Sequence, residues 1–261
     1  MTPLDQAHAA MEEAPGDASA RLRYFAALAD TVLFLLLERE AGDGVVAPQI
    51  FDLDEGPVVL AFDGVERLAD AAGTVVAYAE LPGRVIARQL AGQGVGLGVN
   101  LGAEEGAFLL DPEAVEWLAR VLEHGPDEIR ARPEKFLPPS ALPENLLAAL
   151  DGKLARAAGL ARSVLLAGIR YEGGRTGHIL AFLGADPAAE GALARVAGEA
   201  LTFSGIEAGE MDVTFLADDS PAAQAMARVA LRIDLPEPEQ PAEPVATEPP
   251  GSNPEKPPIL R

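Results

Sequence analysis

Alternating glycines form the motif in this chain that most resembles a ligand-binding loop. The glycines are Gly92, Gly94, Gly96 and Gly98, and a glycine-rich loop can bring backbone N–H groups close to a phosphate. In phosphate-binding loops the glycines follow a strand and precede a helix. Here a predicted helix precedes them, they fall inside a predicted strand at 94–100, and Gly-Lys-Ser/Thr occurs nowhere. We expect them to let a helix pack closely on the strand, with contact to a ligand as the alternative.

Acidic side chains could in principle hold calcium or act as paired catalytic carboxylates. The run Asp52–Gly56 suggests a calcium loop, but an EF-hand needs glycine at loop position six, where Pro57 stands. We therefore expect a β-turn with solvated acids. The pairs Asp218-Asp219 and Glu104-Glu105 are adjacent by sequence only, and a catalytic pair requires a set separation across a cleft.

No sequence pattern supports a catalytic or metal-binding role for histidine or serine either. His8, with Glu12 one turn on, is expected to make a solvated contact on a surface helix. His124 falls in the last turn of a predicted helix, where a cation suits the dipole, and His178 begins a predicted strand. Neither Gly-x-Ser-x-Gly nor Ser-x-x-Lys occurs. The sequence thus predicts no catalytic, cofactor-binding or metal-binding residues, no cofactor, and a protein that is not an enzyme.

The charge balance excludes two classes of partner. The chain of 261 residues has 20 basic and 41 acidic residues and a formal net charge of −21. Nucleic-acid binding depends on Lys and Arg at phosphates, and anionic membranes attract basic segments, so we expect neither partner. Cysteine is absent, which excludes disulfides, thiol nucleophiles and cysteine-bound zinc or iron–sulfur clusters.

The sequence lacks the usual signals for secretion or membrane insertion, which favours the cytoplasm. The first five residues, Met1–Asp5, have no basic region followed by an apolar one, so a secretory signal is not expected. The strongest apolar run, Val32–Leu37, is far shorter than the roughly 18 residues that span a bilayer. We expect a cytoplasmic protein.

Helix and strand signals mix along both halves, which predicts an α/β (mixed α+β) fold with two small domains. Each domain is expected to be a sheet packed with helices. The predicted helices cover 2–13, 18–29, 64–72, 82–91, 111–124, 143–158, 186–201 and 220–227, and the predicted strands 31–37, 46–53, 58–62, 74–80, 94–100, 108–110, 163–171, 178–184, 211–217 and 229–235. Trp117, the only tryptophan, is expected in the core rather than at an interface.

Composition shifts set the predicted domain boundaries. Proline and charge are enriched at 125–142, which reads as a linker between an N-terminal domain, 1–124, and a C-terminal domain, 143–235. From Pro236 to the end proline alternates with acid. Such a segment has little to bury, so 236–261 is predicted to be a disordered tail.

Five segments resemble the SseB family, the bacterial "enhanced serine sensitivity" proteins. They are TPLDQAHAA at 2–10, LFLLL at 33–37, GPVVLAFDGVERL at 56–68, LAGQGVGLGVN at 90–100 and ALTFSGIEAG at 200–209. The resemblance covers about residues 4–235 and implies an N-terminal α/β domain with a smaller C-terminal one. Many members have Asn-Pro-Gly where this chain has Asn100-Leu101-Gly102, a departure limited to the local turn. The resemblance supplies no catalytic residues.

The expected function follows from this resemblance and from the lack of convergent chemical groups. We expect a non-enzymatic protein that acts through contacts with a protein partner, in a regulatory or adaptor role. The alternative is a small-molecule sensor whose cleft is lined by Gly94–Asn100. A third possibility, from another class, is a hydrolase or transferase with an unrecognised site.

Overall fold

Local capping signals start the first two helices. Helix α1, Pro3–Glu13, begins after Thr2, whose hydroxyl accepts from the Asp5 N–H while the Asp5 carboxylate accepts from the Thr2 N–H. This reciprocal capping box satisfies two amides that a helix start leaves without partners. Helix α2, Ala18–Asp30, begins after Asp17, which accepts from the Ser19 N–H. Both helices confirm the predictions to within one residue.

The structure is a computed structural model that describes residues 1–40, 46–103, 105–123, 133–140, 142, 144–204 and 211–236. Its first half continues after α2 with the following elements, given in chain order: β1 Val32–Leu37, β2 Ile50–Leu53, β3 Gly56–Phe62, α3 Val65–Ala72, β4 Ala77–Pro82, α4 Gly83–Leu90, β5 Gly96–Val99, β6 Phe108–Leu110 and α5 Pro112–Glu123. The second half contains β7 Pro133–Leu137, α6 Glu144–Leu154, a 3-10 turn Ala155–Ala157, β8 Ser163–Tyr171, β9 Thr176–Leu183, α7 Glu190–Ser204, β10 Met211–Leu216, α8 Pro221–Ala227 and β11 Leu231–Asp234.

The first sheet has the strand order β4-β1-β3-β5-β6, with β2 also paired to β3. The β3–β5 pair is parallel, and the other pairs are antiparallel. Alternate strand residues such as Leu33, Val59 and Leu97 point into a core shared with α1, α2, α4 and α5. Helix α3 packs against β1 and β3 on the other face, so the two faces are covered unequally.

The second sheet has the order β10-β9-β8-β11, with β7 also paired to β8. Strands β9 and β10 are parallel and joined through α7, whereas the remaining pairs are antiparallel. One face packs with α6 and α7 around residues such as Leu166 and Phe182, and the other packs with α8. The observed architecture confirms the predicted class, a mixed α/β fold with two helix-packed sheets.

Phe203 on α7 joins the two halves. Its side chain is buried in the core cluster of the first half, and its ring lies 6.5 Å from that of Trp117 on α5. Trp117 also contacts Phe25, at 5.3 Å between ring centroids, and is half-buried. The predicted core tryptophan therefore lies where the first half meets the second.

The segment predicted as a linker, 125–142, is the main correction. Strand β7 lies within it and pairs with β8 from Pro133 to Leu137, with one register shift. The high proline content of this segment favoured a linker over a strand. Proline is tolerated on edge strands and at bulges, and β7 is an edge strand with a register shift. Two helices also differ: α6 ends at Leu154, before the 3-10 turn, and α7 begins at Glu190 rather than near 186. The predicted tail lies outside the described residues apart from Pro236.

Candidate functional site

The glycines of strand β5, Gly96 and Gly98, are surrounded by atoms of the first half of the chain. A Cβ atom built on Gly98 would lie 2.5 Å from Leu101 Cδ1 and 2.8 Å from Leu60 Cδ2. One on Gly96 would lie 2.6 Å from the carbonyl oxygen of Leu110 on the neighbouring strand. These neighbours are strands and a loop, so the prediction of close helix packing at these glycines is wrong. Gly92 and Gly94 instead have positive φ, 74° and 68°, as a turn requires.

Close helix packing occurs at Gly83, which the sequence did not single out. A Cβ atom there would overlap the carbonyl oxygen of Leu28, so only glycine lets the start of α4 approach the end of α2 this closely. This contact brings Asp30 and Arg84 together, and their side chains form an ion pair.

A polar cluster lies at the carboxyl ends of the parallel strands β3 and β5. Arg67 binds Asp5 through two nitrogens, at 2.8 and 2.9 Å, and Asp63 at 2.7 Å. Thr2 donates its hydroxyl proton to the other Asp63 oxygen at 2.5 Å. Asn100, with φ 52°, accepts from the Asp63 N–H at 3.0 Å. The cluster thereby attaches the start of α1 to the sheet.

Electrostatics in this cluster favour the charged forms of its ion pairs. The hydrogen bonds from Arg67 lower the pKa of Asp5 to about 2, although burial acts in the opposite direction. Burial, reinforced by the negative charge of Asp63, raises the pKa of Tyr24 above its ordinary value. Tyr24 Oη and Asn100 Nδ2 are buried and find no hydrogen-bond partner among the described residues.

Ligands of α/β proteins commonly bind at carboxyl ends of parallel strands, but here the position is filled. Both carboxylates are already paired, and a Cβ atom on Gly106 would lie 2.6 Å from Asp5 Oδ1 and 3.3 Å from Asn100 Nδ2. The backbone of Gly106 therefore covers the cluster. We conclude that the cluster holds the start of α1 against the first sheet and is not a reaction centre.

Five charged residues form a second cluster between the two halves. Glu199 on α7 accepts from Arg84 at 3.0 and 3.1 Å and from Lys153 at 2.8 Å. Asp30 pairs with Arg84, with Lys153 at 2.8 Å and with Arg156 at 2.7 Å. The cluster thus contains three cations and two carboxylates. It connects α2 and α4 of the first half to α6 and α7 of the second.

Most of this cluster is shielded from water. The side chains of Lys153 and Glu199 are only 8% and 5% exposed, and Lys153 Nζ lies 5.5 Å above the Phe203 ring. Burial alone would raise the pKa of Asp30, but the cations Lys153, Arg84 and Arg156 outweigh it and lower that pKa. Every member has an opposite charge within ion-pair distance. The arrangement therefore holds helices together and leaves no free group for acid–base catalysis.

An open cleft lies at the carboxyl ends of the parallel pair β9 and β10. Its volume is about 470 Å³, and Glu190, Phe215, Asp218 and Asp219 are among its lining residues. Asp218 already pairs with Arg162 at 2.7 Å. The sequence pair Asp218-Asp219 thus lines a cleft, and among the described residues no group of three or more possible ligands could hold a metal.

The second face of the first sheet carries apolar side chains that no helix covers completely. In the β1–β4 register, Val32 stands opposite Pro82, Phe34 opposite Glu80, and Leu36 opposite Tyr78. Val32 and Tyr78 are 48% and 42% exposed, and the Phe34 and Tyr78 rings contact each other at 5.5 Å between centroids. We call Val32, Phe34, Tyr78 and Glu80 the open face.

Strand β4 also forms an end of the first sheet. It pairs with β1 over six consecutive residues with no register shift, and no described strand lies on its outer side. An end strand of this kind leaves a row of backbone N–H and C=O groups on its free side. The open face and the free edge of β4 adjoin each other.

The other residues considered from sequence do not converge. His8 is buried rather than solvated, with its ring 5.7 Å from that of Tyr24 and its Nε2 3.9 Å from Glu12. His178 contacts the Ser140 carbonyl oxygen at 2.9 Å. Asp52 pairs with Pro57 across a tight β2–β3 turn, as expected. His124 and Glu104 lie outside the described residues.

Comparison with known proteins adds no identification. No protein-family model, no curated protein and no solved structure matches the chain significantly. The resemblance to the SseB family therefore stays a prediction. Among the described residues, no helix has both the length and the apolar character needed to cross a membrane.

Proposed function

We propose that the protein acts through contacts with a protein partner, in a regulatory or adaptor role, and that the partner binds the open face. The observation that carries the proposal is the exposure of Val32 and Tyr78, 48% and 42%, on one surface beside Phe34. Single exposed apolar residues are ordinary, but an adjoining set that includes an aromatic residue is typical of interaction sites.

The comparison with the rest of the molecule supports this choice. The polar cluster around Asp63 and the ion cluster around Lys153 have their charges paired, so neither offers a free reactive group. Both faces of the second sheet are packed with helices. The open face, by contrast, presents a tyrosine, and tyrosine is enriched at the centres of protein interfaces.

The net charge of −21 supports a partner other than nucleic acid or an anionic membrane. We further propose that the protein works in the cytoplasm and belongs to the SseB family, on the strength of the sequence segments that resemble that family. Neither proposal depends on a catalytic residue.

The experiment compares two double variants of tagged protein purified from its own cells, with quantitative mass spectrometry of everything that co-purifies. Val32→Ser/Tyr78→Ser removes the two most exposed apolar side chains of the open face. Ile50→Ser/Leu231→Ser is the matched control, because those residues are 53% and 42% exposed and lie outside the open face. We expect a partner that is retained by the control and reduced at least tenfold by the open-face variant.

Two results contradict the proposal. In the first, every co-purifying protein is retained equally by the two double variants, which would place the contact elsewhere. In the second, wild-type protein is recovered without any stoichiometric partner under gentle lysis. Circular dichroism of both variants keeps a loss of folding from being mistaken for a loss of contact.

The second candidate function, a small-molecule sensor, has less support at the position expected from sequence. Leu60 and Leu101 occupy the space beside Gly98. The cleft near Phe215, of about 470 Å³, is the better location, since ligand pockets have volumes of roughly 300–1,000 Å³. A metabolite that binds there must raise the melting temperature. A thermal-shift screen in which no metabolite raises it would end this candidate.

A further inference from the structure

The free edge of β4 bears the marks of a strand-addition site. Six consecutive residue pairs join β4 to β1 without a bulge. Among the other end strands, β6 has only three residues and β7 has a register shift, whereas β10 also pairs over six residues without a shift but does not adjoin the open face. Proteins protect edges with short strands, bulges, proline and charged side chains, above all lysine. Strand β4 has no lysine, its one charged residue is Glu80, and its only proline, Pro82, is its last residue.

The side chains of β4 alternate in a way that would select an incoming strand. Tyr78 and Glu80 are exposed on the open face, whereas Ala77, Ala79 and Leu81 are partly buried toward the core. An added strand would place every second side chain beside Tyr78 and Glu80, and the others beside the small and apolar residues. On the open face, Tyr78 and Glu80 would favour an incoming strand with an apolar residue two positions from a basic one. On the core side, the incoming residues would be apolar.

Charge decides between a different partner and a second copy of the chain. A second copy would bring another net charge of −21 and would place two acidic β4 strands side by side. Like charges across paired strands are destabilising, and opposite charges are stabilising. A basic segment would instead pair with Glu80 and be attracted by the acidic molecule.

From these observations we infer that the partner contributes an extended segment, apolar with basic residues, that pairs with the free edge of β4 as an added strand. This inference rests on the proposed function, because it specifies what binds beside the open face. Backbone hydrogen bonds would supply affinity, and the contacts to Tyr78 and Glu80 would supply selectivity.

The test uses short synthetic probes and the full chain. The probe Gly-Lys-Val-Tyr-Val-Lys-Gly, capped at both ends and labelled with a fluorophore, reads the same in both directions, so it fits a parallel or an antiparallel addition. Its acidic counterpart has Glu in place of both Lys residues. Binding is measured by fluorescence polarisation at low salt. We expect the basic probe to bind at least tenfold more tightly than the acidic one.

A charge reversal supplies the matched protein variant. Glu80 is exposed, so Glu80→Lys should fold normally. We expect about a five- to tenfold weaker affinity for the basic probe, in line with about 1 kcal/mol for replacing an exposed attraction by a repulsion. The same variant should gain affinity for the acidic probe. Unchanged preference between the two probes would overturn the assignment of Glu80.

Backbone methylation tests strand addition itself. In an extended peptide, N–H groups of alternate residues point to the same side. One probe is therefore methylated on the backbone nitrogens of its two Val residues, and another on those of Lys, Tyr and Lys. Because the probe fits either direction, each of these two probes still has one free edge, so strand addition predicts that at least one of them keeps binding and that a third probe, methylated on both sets of nitrogens, loses it. Failure of both singly methylated probes, or binding of the fully methylated one, overturns strand addition.

The inference and the proposed function fail in different ways. Failure of the probes, together with loss of a cellular partner by Val32→Ser/Tyr78→Ser, would leave the open face as a contact and remove the added strand. Failure of both experiments would remove the proposed function as well.

Discussion

Glu199 is the residue whose loss most directly tests the connection between the two halves. Its carboxylate accepts three hydrogen bonds, two from Arg84 and one from Lys153, at 2.8–3.1 Å, and its side chain is 5% exposed. Glu199→Gln keeps the shape and removes the charge. Arg84, Lys153 and Arg156 would then share one carboxylate, that of Asp30.

The cost follows from the burial of the charges left behind. Removing one partner of a buried ion pair costs about 3–5 kcal/mol, because the remaining charge stays desolvated. The Arg84 side chain is 29% exposed and can regain part of its hydration, which favours the lower end of this range. We therefore expect Glu199→Gln to lower the free energy of unfolding by about 3 kcal/mol.

Urea unfolding of the full chain measures this difference. Fluorescence of the only tryptophan, Trp117, reports on the junction between the halves, because its ring contacts Phe203, and circular dichroism reports on all helices. The control is Glu116→Gln, the same chemical change on the exposed side of α5. Surface changes of this kind usually alter stability by less than about 0.5 kcal/mol.

A double-mutant cycle separates charge from shape. Lys153→Met removes a cation, so in Lys153→Met/Glu199→Gln fewer cations remain uncompensated. The double variant should be more stable than the sum of the single effects predicts, by at least about 1 kcal/mol. Additive effects, or a loss for Glu199→Gln no larger than that for Glu116→Gln, would refute the view that the cluster holds the halves together.

Three further predictions concern stability. The pKa of Asp5 is about 2 against an ordinary 3.8, so its ionised form stabilises the fold above about pH 4 by about 2 kcal/mol. This stabilisation is lost as pH falls from about 4 to about 2. Urea unfolding should thus show Asp5→Asn as destabilising at pH 7, with the deficit shrinking toward pH 2; a constant deficit would contradict the ion pair with Arg67. Gly83→Ala should cost about 3 kcal/mol through overlap with the α2 backbone, whereas Gly16→Ala, with open space around it, should cost less than about 1; equal melting temperatures would refute the close approach. By chemical denaturation, Asn100→Ala should be about 1 kcal/mol less stable than Asn100→Gly, because φ is positive at this position. The reverse order of stability would exclude backbone strain at residue 100.

Local signals in the sequence predicted most elements of the fold. The helix starts marked in the sequence by Asp17, by Asp186-Pro187 and by Ser220-Pro221 depend on neighbours a few residues away, so they can be predicted directly. Helix α7 nevertheless starts at Glu190, after a turn in which the Asp186 carboxylate accepts a hydrogen bond from the Ala188 N–H. Strand β7 was missed because its pairing with β8 is a long-range contact.

The clusters could not be predicted because their members are far apart in sequence. Arg84 and Glu199 are separated by 115 positions, and Thr2 and Asp63 by 61. Their meeting depends on how helices pack against two sheets, which no spacing rule encodes. The burial of His8 was missed for a similar reason, since its aromatic neighbours come from α2 and β6.

The open face had a partial signal in the sequence. The run Val32–Leu37 predicts a strand buried on both faces, and β1 is buried from Leu35 to Leu37. At its start, however, Val32 is exposed. Only the strand order places Tyr78 on the same face, opposite Leu36 and in contact with Phe34.

Site-specific crosslinking in living cells determines whether a protein partner binds the open face. Tyr78→p-benzoylphenylalanine places a photoreactive group on the open face, and Leu231→p-benzoylphenylalanine places it on an equally exposed residue, 42% in each case, in the second sheet. We predict that illumination links one specific protein to position 78 and leaves position 231 unlinked. The same protein crosslinked at both positions, or no crosslinked protein at position 78, would contradict it.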